Sequence, residues 1–392
     1  MTSAAGYFKT TPIAEYITKL NKEFFEGDLL CPVVSVDDGY AQNNAAVLVI
    51  EGTGDSAVLK IIEDKIPSLA RRGRHTSAVI GGAVNLYGVV ESNEEYTVSE
   101  WVQSPEDTRT PDYSTTTLNL SLIHHMLNRL GLAGENVALL TGLPLEQYMD
   151  GEEGTNTILL EKKKKNLLRD VYVGPRKEPS AKVVFAGIYP EAVAGIVDYM
   201  IDEYGDMKPG VNPDVVRLGL DIGGNTTDMA IVLPGNQLGA KKTLEYGVTH
   251  VKDRLRQLLM KRFECEPDDT LLEEALMTKR VSWFGGDPED VTAEVGDAIG
   301  CVMQPILAEV DLFKRRFPSL KEIIGFGGGV ALMENLIRDR YPNIIVLDNA
   351  DGANARGFLK CALLYDLDTI MSVVHTYLNA SSQVENTEPA IA

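Results

Sequence analysis

The chain has 392 residues, 44% apolar and 24% charged, an ordinary globular composition with room for two or three domains at about 150 residues each. Its 57 acidic and 37 basic side chains leave a formal charge of −20, which repels phosphate backbones and argues against direct nucleic-acid binding by the protein body. Four cysteines (Cys31, Cys265, Cys301, Cys361) show no C-x-x-C spacing, no signal peptide opens the chain, and no apolar run reaches bilayer length; zinc-finger, disulfide-scaffold and membrane-embedded classes are excluded, and a reducing cytoplasm is the expected setting.

In chain order, a small polar start leads to Pro12, and Ile13, Tyr16, Ile17, Leu20 and Phe24 follow at helical spacing. This predicts an amphipathic helix to about residue 25 within an N-terminal extension, 1–30. The β-branched run 32–36 and the segment 45–51 read as an antiparallel hairpin joined by residues 38–44. Residues 60–66 continue the β pattern, and Arg71, Arg72 and Arg74 form a basic knot. Residues 118–130 are predicted helical with His124 and His125 as core histidines, 137–140 a strand, 183–186 a strand, and Pro190 a helix start running to about residue 204. The Gly/Pro cluster 205–213 marks a boundary. A new sheet starts at Val215, and Gly247 precedes a helix over 248–263 with Leu255, Leu258 and Leu259 on one face. Residues 266–300 read as acidic and Gly-spotted, 301–313 as helix, 322–324 as strand, 331–339 as helix, 343–347 as strand and 355–365 as helix, with a disordered tail over 381–392.

Three segments carry chemistry. Asp221-Ile222-Gly223-Gly224-Asn225-Thr226-Thr227-Asp228 lies between two apolar strands. Its glycines allow backbone N–H groups to approach an anion closely, and Asn225 and Thr226 add short donors. Asp221 cannot bind phosphate itself but can hold a hydrated Mg²⁺ that bridges phosphate oxygens. Asp37-Asp38-Gly39-Tyr40-Ala41-Gln42-Asn43 repeats the strand–acid–glycine–strand unit, at 33–50 and again at 215–233. Gly327-Gly328-Gly329 follows a strand and opens a helix, where a flat ligand can lie against backbone.

These three elements, in this order, resemble the first phosphate, second phosphate and adenosine loops of the actin-like ATPase superfamily. Longer stretches are similar to its plasmid-segregation branch, the ParM/StbA type: VDDGYAQN, IHHML, TGLPLEQYMDGEEGTNTILLEKKKKNLLRD, YPEAVAGIVD, DIGGNTTDMA, IIGFGGGV and NARGFL, collinear over most of residues 33–365. The Lys162–Lys165 run reads by itself as a solvated helix face and gains weight only from its neighbours.

The resemblance implies an α/β, actin-like (ribonuclease H-like) duplicated fold with a nucleotide cleft between two domains. Domain I would take 31–204 and 355–380, with an insertion near 61–135, and domain II 205–354, with an insertion near 250–305. It further implies ATP, with GTP as an open alternative, held by Asp37, Gly39, Tyr40, Ala41, Gln42, Asn43, Gly223, Gly224, Asn225, Thr226, Gly327, Gly328 and Gly329, with Lys252 and Asp253 toward the sugar. Mg²⁺ would sit at Asp37 and Asp221 through water, and Asp198, where the family commonly has Glu, would orient the attacking water. The implied activity is a nucleotide-hydrolysing cytoplasmic filament that segregates plasmid DNA, engaging it through a separate DNA-binding adaptor of ParR type. A soluble small-molecule kinase of the same superfamily is the alternative.

Overall fold

The computed structural model describes residues 31–51, 58–75, 85–92, 94–102, 104–151, 154–370, 372–374 and 376–377. The helix expected at 13–25 and the tail expected over 381–392 lie outside the described residues. The chain divides into two compact units, Met1–Val211 with Asn354–Ala392 and Asn212–Ala353, each with its own apolar core.

The first unit contains β1 (Val33–Asp38), β2 (Gln42–Glu51), β3 (Val58–Pro67), β4 (Ala70–Arg72), β5 (Leu86–Val89) and β6 (Glu95–Val98). After them come α1 (Thr117–Arg129), β7 (Asn136–Leu143), α2 (Leu145–Tyr148), β8 (Met149–Asp150), β9 (Gly154–Thr155) and α3 (Thr157–Leu167). β10 (Val171–Val173), β11 (Glu178–Pro179), β12 (Lys182–Pro190) and α4 (Val193–Met200) complete the series. The main sheet runs β12-β7-β1-β2-β3 and a second sheet β11-β10-β5-β6-β4. β1 is antiparallel to β2 and parallel to β7, and Val33, Val34 and Val36 are all buried, as a strand covered on both faces requires. α1 packs against strands of both sheets, which is why every residue from Thr117 to Leu127 is buried. Its start is fixed by Thr116, whose hydroxyl accepts from the Asn119 N–H at 3.2 Å, an N-cap.

Several boundaries differ from the sequence expectations, and the helix expected to reach about residue 204 ends at Met200. The first hairpin turn is shorter than residues 38–44, because β1 runs through Asp38 and β2 starts at Gln42. Pro190 ends β12 instead of opening a helix; β12 is an edge strand, where a missing N–H costs the ladder nothing. The helix begins only at Val193, after Ala192 turns the chain with φ of 63°.

The second unit contains β13 (Val216–Ile222), β14 (Thr227–Leu233) and β15 (Gln237–Leu244), then α5 (Val248–Phe263) and α6 (Asp269–Thr278). β16 (Arg280–Val281), β17 (Glu289–Asp290), α7 (Thr292–Arg316), β18 (Leu320–Phe326), α8 (Val330–Arg340) and β19 (Ile345–Val346) follow. Its sheet runs β15-β14-β13-β18-β19, and α5 packs on α6 and α7. On α5, Leu255 and Leu259 are fully buried, whereas Leu258 is only partly so. α7 begins nine residues before the expected start at Cys301. Its buried stripe continues upstream through Val295, Ala298 and Ile299, but Gly296 and Gly300 between them lower helix propensity and mask the period.

The chain returns to the first unit at Asn354 in α9 (Ala353–Cys361). There the Ser35 hydroxyl of β1 donates to the Ala355 carbonyl at 2.7 Å, and Phe358 stacks on Tyr189 of β12 with centroids 6.2 Å apart. No helix among the described residues is long and apolar enough to cross a membrane. All four cysteines are free, and burial pushes the Cys31 and Cys361 thiols up to about 12.

Candidate functional site

In the first unit the β1–β2 register sets Asp37 opposite Asn44 and Asp38 opposite Asn43. Three successive carbonyls of the turn are tied to the protein. The Ser68 hydroxyl donates to Gly39 O at 2.7 Å, the Thr108 hydroxyl to Tyr40 O at 2.6 Å, and the Ser68 N–H to Ala41 O at 2.9 Å. In a trans peptide the N–H points opposite to the C=O. Fixing the Gly39 and Tyr40 carbonyls therefore aims the Tyr40 and Ala41 N–H groups away from Ser68 and Thr108. The Tyr40 ring is held against Tyr113 at 5.4 Å, Gln42 Nε2 donates to Asn44 Oδ1 at 2.6 Å, and Asn43 Nδ2 donates to the Ser68 hydroxyl at 2.8 Å.

Behind this turn lies a network that the sequence pattern did not reveal. The Asp38 carboxylate is buried and accepts from Lys163 Nζ at 2.8 and 2.9 Å, from Asn119 Nδ2 at 2.8 Å and from the Thr141 hydroxyl. Lys163 is 1% exposed and donates also to Gly142 O at 2.5 Å. A buried ion pair persists when its remaining donors and acceptors find partners, as here. The reading of the Lys162–Lys165 run as a solvated face is thus corrected at one position. The available signal was spacing, since Leu160, Lys163 and Leu167 recur at three and four residues on the inward face of α3.

In the second unit β13 and β14 set Asp221 opposite Asp228 and Ile222 opposite Thr227, so the two acid–glycine hairpins occupy equivalent antiparallel pairs. The Gly223 N–H closes the turn on Thr226 O at 2.9 Å. The first N–H groups of α5 take the next two carbonyls, Val248 N–H to Gly223 O at 3.1 Å and Thr249 N–H to Gly224 O at 2.8 Å. By the same peptide geometry the Gly224 and Asn225 N–H groups are directed away from α5. Gly247 permits this contact, because a Cβ there would lie 2.5 Å from Gly224 O. The Thr226 hydroxyl donates to Asp228 Oδ2 at 3.2 Å.

The triple-glycine turn packs onto this hairpin. The Gly329 N–H donates to Ile222 O at 2.8 Å. Gly327 has φ of +87°, and a methyl group on it would overlap both Asp221 Oδ1 and Ile222 O. Only glycine satisfies both demands. Gly328 forms the exposed outer corner. Asp221, Gly223, Gly224, Asn225, Thr226 and Gly327–Gly329 therefore converge within one unit. Lys252 and Asp253 share α5 with them; Lys252 pairs with Glu273 at 3.0 Å and Asp253 accepts from Arg256 at 2.9 Å.

Asp198 lies elsewhere, on α4. Its carboxylate is buried and accepts from Lys360 Nζ at 2.6 Å and from the Arg356 guanidinium at 2.8 and 2.9 Å. Arg356 also pairs with Glu63 of β3, and Lys208 Nζ donates to the Asp198 carbonyl at 2.8 Å. Burial together with the Lys360 charge pulls the Lys208 ammonium below its usual range. Glu191, by contrast, follows β12 directly, where its N–H donates to Leu143 O at 2.9 Å. That is the carboxyl end of the parallel strands β1, β7 and β12, where open α/β sheets bind ligands. His124 and His125 are core residues: His124 Nδ1 bonds the Ser180 hydroxyl at 2.9 Å and His125 Nδ1 the Tyr87 hydroxyl at 3.0 Å. Among the described residues, no group of three or more His, Cys, Asp or Glu could hold a metal ion.

Residues 34–200 match the family of plasmid segregation protein ParM, N-terminal, and residues 219–339 match archaeal actin homologue MreB-like, C-terminal. No curated protein matches the chain in sequence. Among solved structures, a 15-stranded ParM filament from Clostridium botulinum is similar at 18% identity and TM-score 0.66, covering 86% of this chain and 99% of that one. An archaeal actin homologue in complex with ADP is similar at 15% identity and TM-score 0.64, covering 85% and 99%. The apo ParM protein of psk41 is similar at 15% identity and TM-score 0.59, covering 87% and 99%. The chain has the actin-like fold, with its first unit similar to the ParM N-terminal family and its second to the MreB-like C-terminal family.

Proposed function

We propose that this protein is a nucleotide-hydrolysing, self-assembling actin homologue that segregates plasmid DNA, with ATP as the nucleotide and acid–glycine hairpins as its phosphate binders. The observation that carries this reading is the paired construction of Gly39–Ala41 and Gly223–Asn225. In both turns the carbonyls are tied back, by Ser68 and Thr108 in one and by the start of α5 in the other, so that adjacent N–H groups face outward as phosphate donors. The triple-glycine turn beside the second hairpin would take the base and sugar, with Lys252 and Asp253 further along α5. The ADP complex of the archaeal homologue and the ParM filament support the same reading.

The donor set fits Mg²⁺. The ion is commonly held by one or two carboxylates plus phosphate oxygens and water instead of an all-protein cage, and the strand-end carboxylates Asp37 and Asp221 suit that role. Mg²⁺ would neutralise charge developing on the phosphates. Glu191, at the carboxyl end of the parallel strands, is better placed than Asp198 to orient the attacking water, because the Asp198 carboxylate is engaged by Arg356 and Lys360. The net charge of −20 supports DNA engagement through a separate adaptor of ParR type.

Asp221→Ala should lose Mg²⁺-dependent ATP binding in calorimetry while the fold persists. Undiminished Mg-ATP affinity would overturn the hairpin assignment. Light scattering and electron microscopy of the wild type with Mg-ATP test assembly; a wild type that binds and hydrolyses ATP without assembling would remove the filament from the reading.

A further inference from the structure

Two surface features on different units have no role in nucleotide binding. The first is the connection between β16 and β17. Phe284 is 94% exposed and sits in the left-handed region at φ 53°, ψ 28°, where a bulky aromatic residue is strained. The Trp283 ring, packed on Phe263 at 5.4 Å, lies 6.4 Å from it. Met277, at the end of α6, is 85% exposed, and Asp287 and Glu289 follow the knob on exposed backbone. Asp287 has no ion-pair partner among the described residues, and Glu289 reaches Arg262 only at 3.7 Å.

The second is the outer face of α3. Ile158 is 84% exposed and Leu168, at the helix end, 42%. Lys162 and Lys165 stand between them at helical spacing, exposed and without an ion-pair partner among the described residues. Lys164 pairs with Glu161 on the same helix at 3.8 Å. On a chain of charge −20 this is a basic and apolar strip. Elsewhere Arg72 pairs with Glu94, Lys314 lies over Tyr341 at 4.7 Å and Arg316 over Phe317 at 5.4 Å.

We propose that the Phe284 knob, with its Asp287 and Glu289 flank, docks on the Ile158–Lys162–Lys165 face of α3 in a second copy of this chain. An apolar tip with an acidic flank meets an apolar face with a basic centre, so contact burial and charge complementarity act together. The two surfaces are unlike, so the contact is heterologous, and where its rotation does not close into a ring its repetition gives an open polymer, as the filament reading requires. The strained backbone at Phe284 holds the ring out in solvent for this contact. The inference rests on the filament reading above and names the contact that would carry it.

The test uses full-length chains with Mg-ATP, read by pelleting and light scattering. Lys162→Glu with Lys165→Glu, and separately Asp287→Lys with Glu289→Lys, should each raise the critical concentration at least about tenfold, the scale of a lost contact ion pair. An equimolar mixture of the two defective proteins should co-assemble, because each knob then finds an opposite charge on the other's α3. Phe284→Gly should keep or raise the melting temperature, since it removes backbone strain, yet lose assembly. Arg315→Glu at the end of α7 should assemble normally. A wild type that does not assemble removes the filament reading, and this contact with it. A wild type that assembles while the α3 and knob variants also assemble, or whose two defective proteins fail to rescue each other, overturns this contact alone. So does loss of assembly in Arg315→Glu with normal assembly of the α3 variant.

Discussion

Under the proposed function, two carboxylates seven positions apart would separate positioning from packing. Asp198 is buried between Arg356 and Lys360, and removing one partner of a buried pair costs about 3–5 kcal/mol. Asp198→Asn should therefore lower the melting temperature clearly, while phosphate release per folded molecule stays near wild type. Glu191→Gln should do the reverse, sparing stability and cutting release by about 10²–10⁴-fold, the scale of a positioned acid–base group. Phosphate release and thermal melts on the same samples decide it, and a hydrolysis defect confined to Asp198→Asn would return the role to Asp198. Lys163 makes a second case. Lys163→Met leaves Asp38 charged, buried and short of its cation, so a loss of about 3–5 kcal/mol in denaturant unfolding is expected. Lys163→Met with Asp38→Asn should recover part of that loss, because no uncompensated charge remains. Full additivity of the two changes would show that the pair does not act as a unit.

At the scale of elements, α1 carries the clearest pH dependence. Burial drops the His124 imidazole to about 3, and drops His125 to about 4 with help from the nearby Arg129 charge. Both rings are neutral in the folded state and charge near 6.5 when unfolded. The unfolded chain thus binds more protons below that value, and stability falls as pH falls from about 6.5 toward 4, by about 1.4 kcal/mol per pH unit per histidine. At pH 5 the two together remove about 4 kcal/mol. Melting curves from pH 7.5 to 5 should show this slope, and His124→Gln should flatten it; an unchanged slope in that variant would place the titrating groups elsewhere. The burial of both histidines was legible from the apolar run around them. The acid–glycine hairpins were legible too, because strand–acid–glycine–strand is a short-range pattern. Ser68, Thr108, Asn119, Thr141 and Lys163 were not. They reach the first hairpin from 25 or more residues away, and nothing in their local sequence encodes the destination. The early start of α7 was hidden by Gly296 and Gly300, and the end of β12 was misread because Pro190 suits a helix start and an edge strand equally.

For the whole molecule, the proposed assembly would set long-range repulsion against short-range attraction. Each copy carries a formal charge of −20. At about 10 mM salt the screening length is about 30 Å, so copies repel over a distance comparable to their own size. At about 0.1 M it is about 10 Å, which removes most of that repulsion while leaving pairs in contact, and at about 1 M it is about 3 Å, which weakens those as well. The critical concentration of the Mg-ATP form should therefore fall as KCl rises from about 10 to 100 mM and rise again toward 1 M. A uniform charge effect and a specific contact differ in sign for one variant. Asp287→Lys with Glu289→Lys makes the chain less negative, so net repulsion alone predicts easier assembly at low salt. Docking of that acidic flank on Lys162 and Lys165 predicts the opposite, because two attractive pairs become repulsive. Critical concentrations of this variant and of the wild type at about 20 mM KCl separate the two: a lower value in the variant would leave net charge as the sole electrostatic control of assembly.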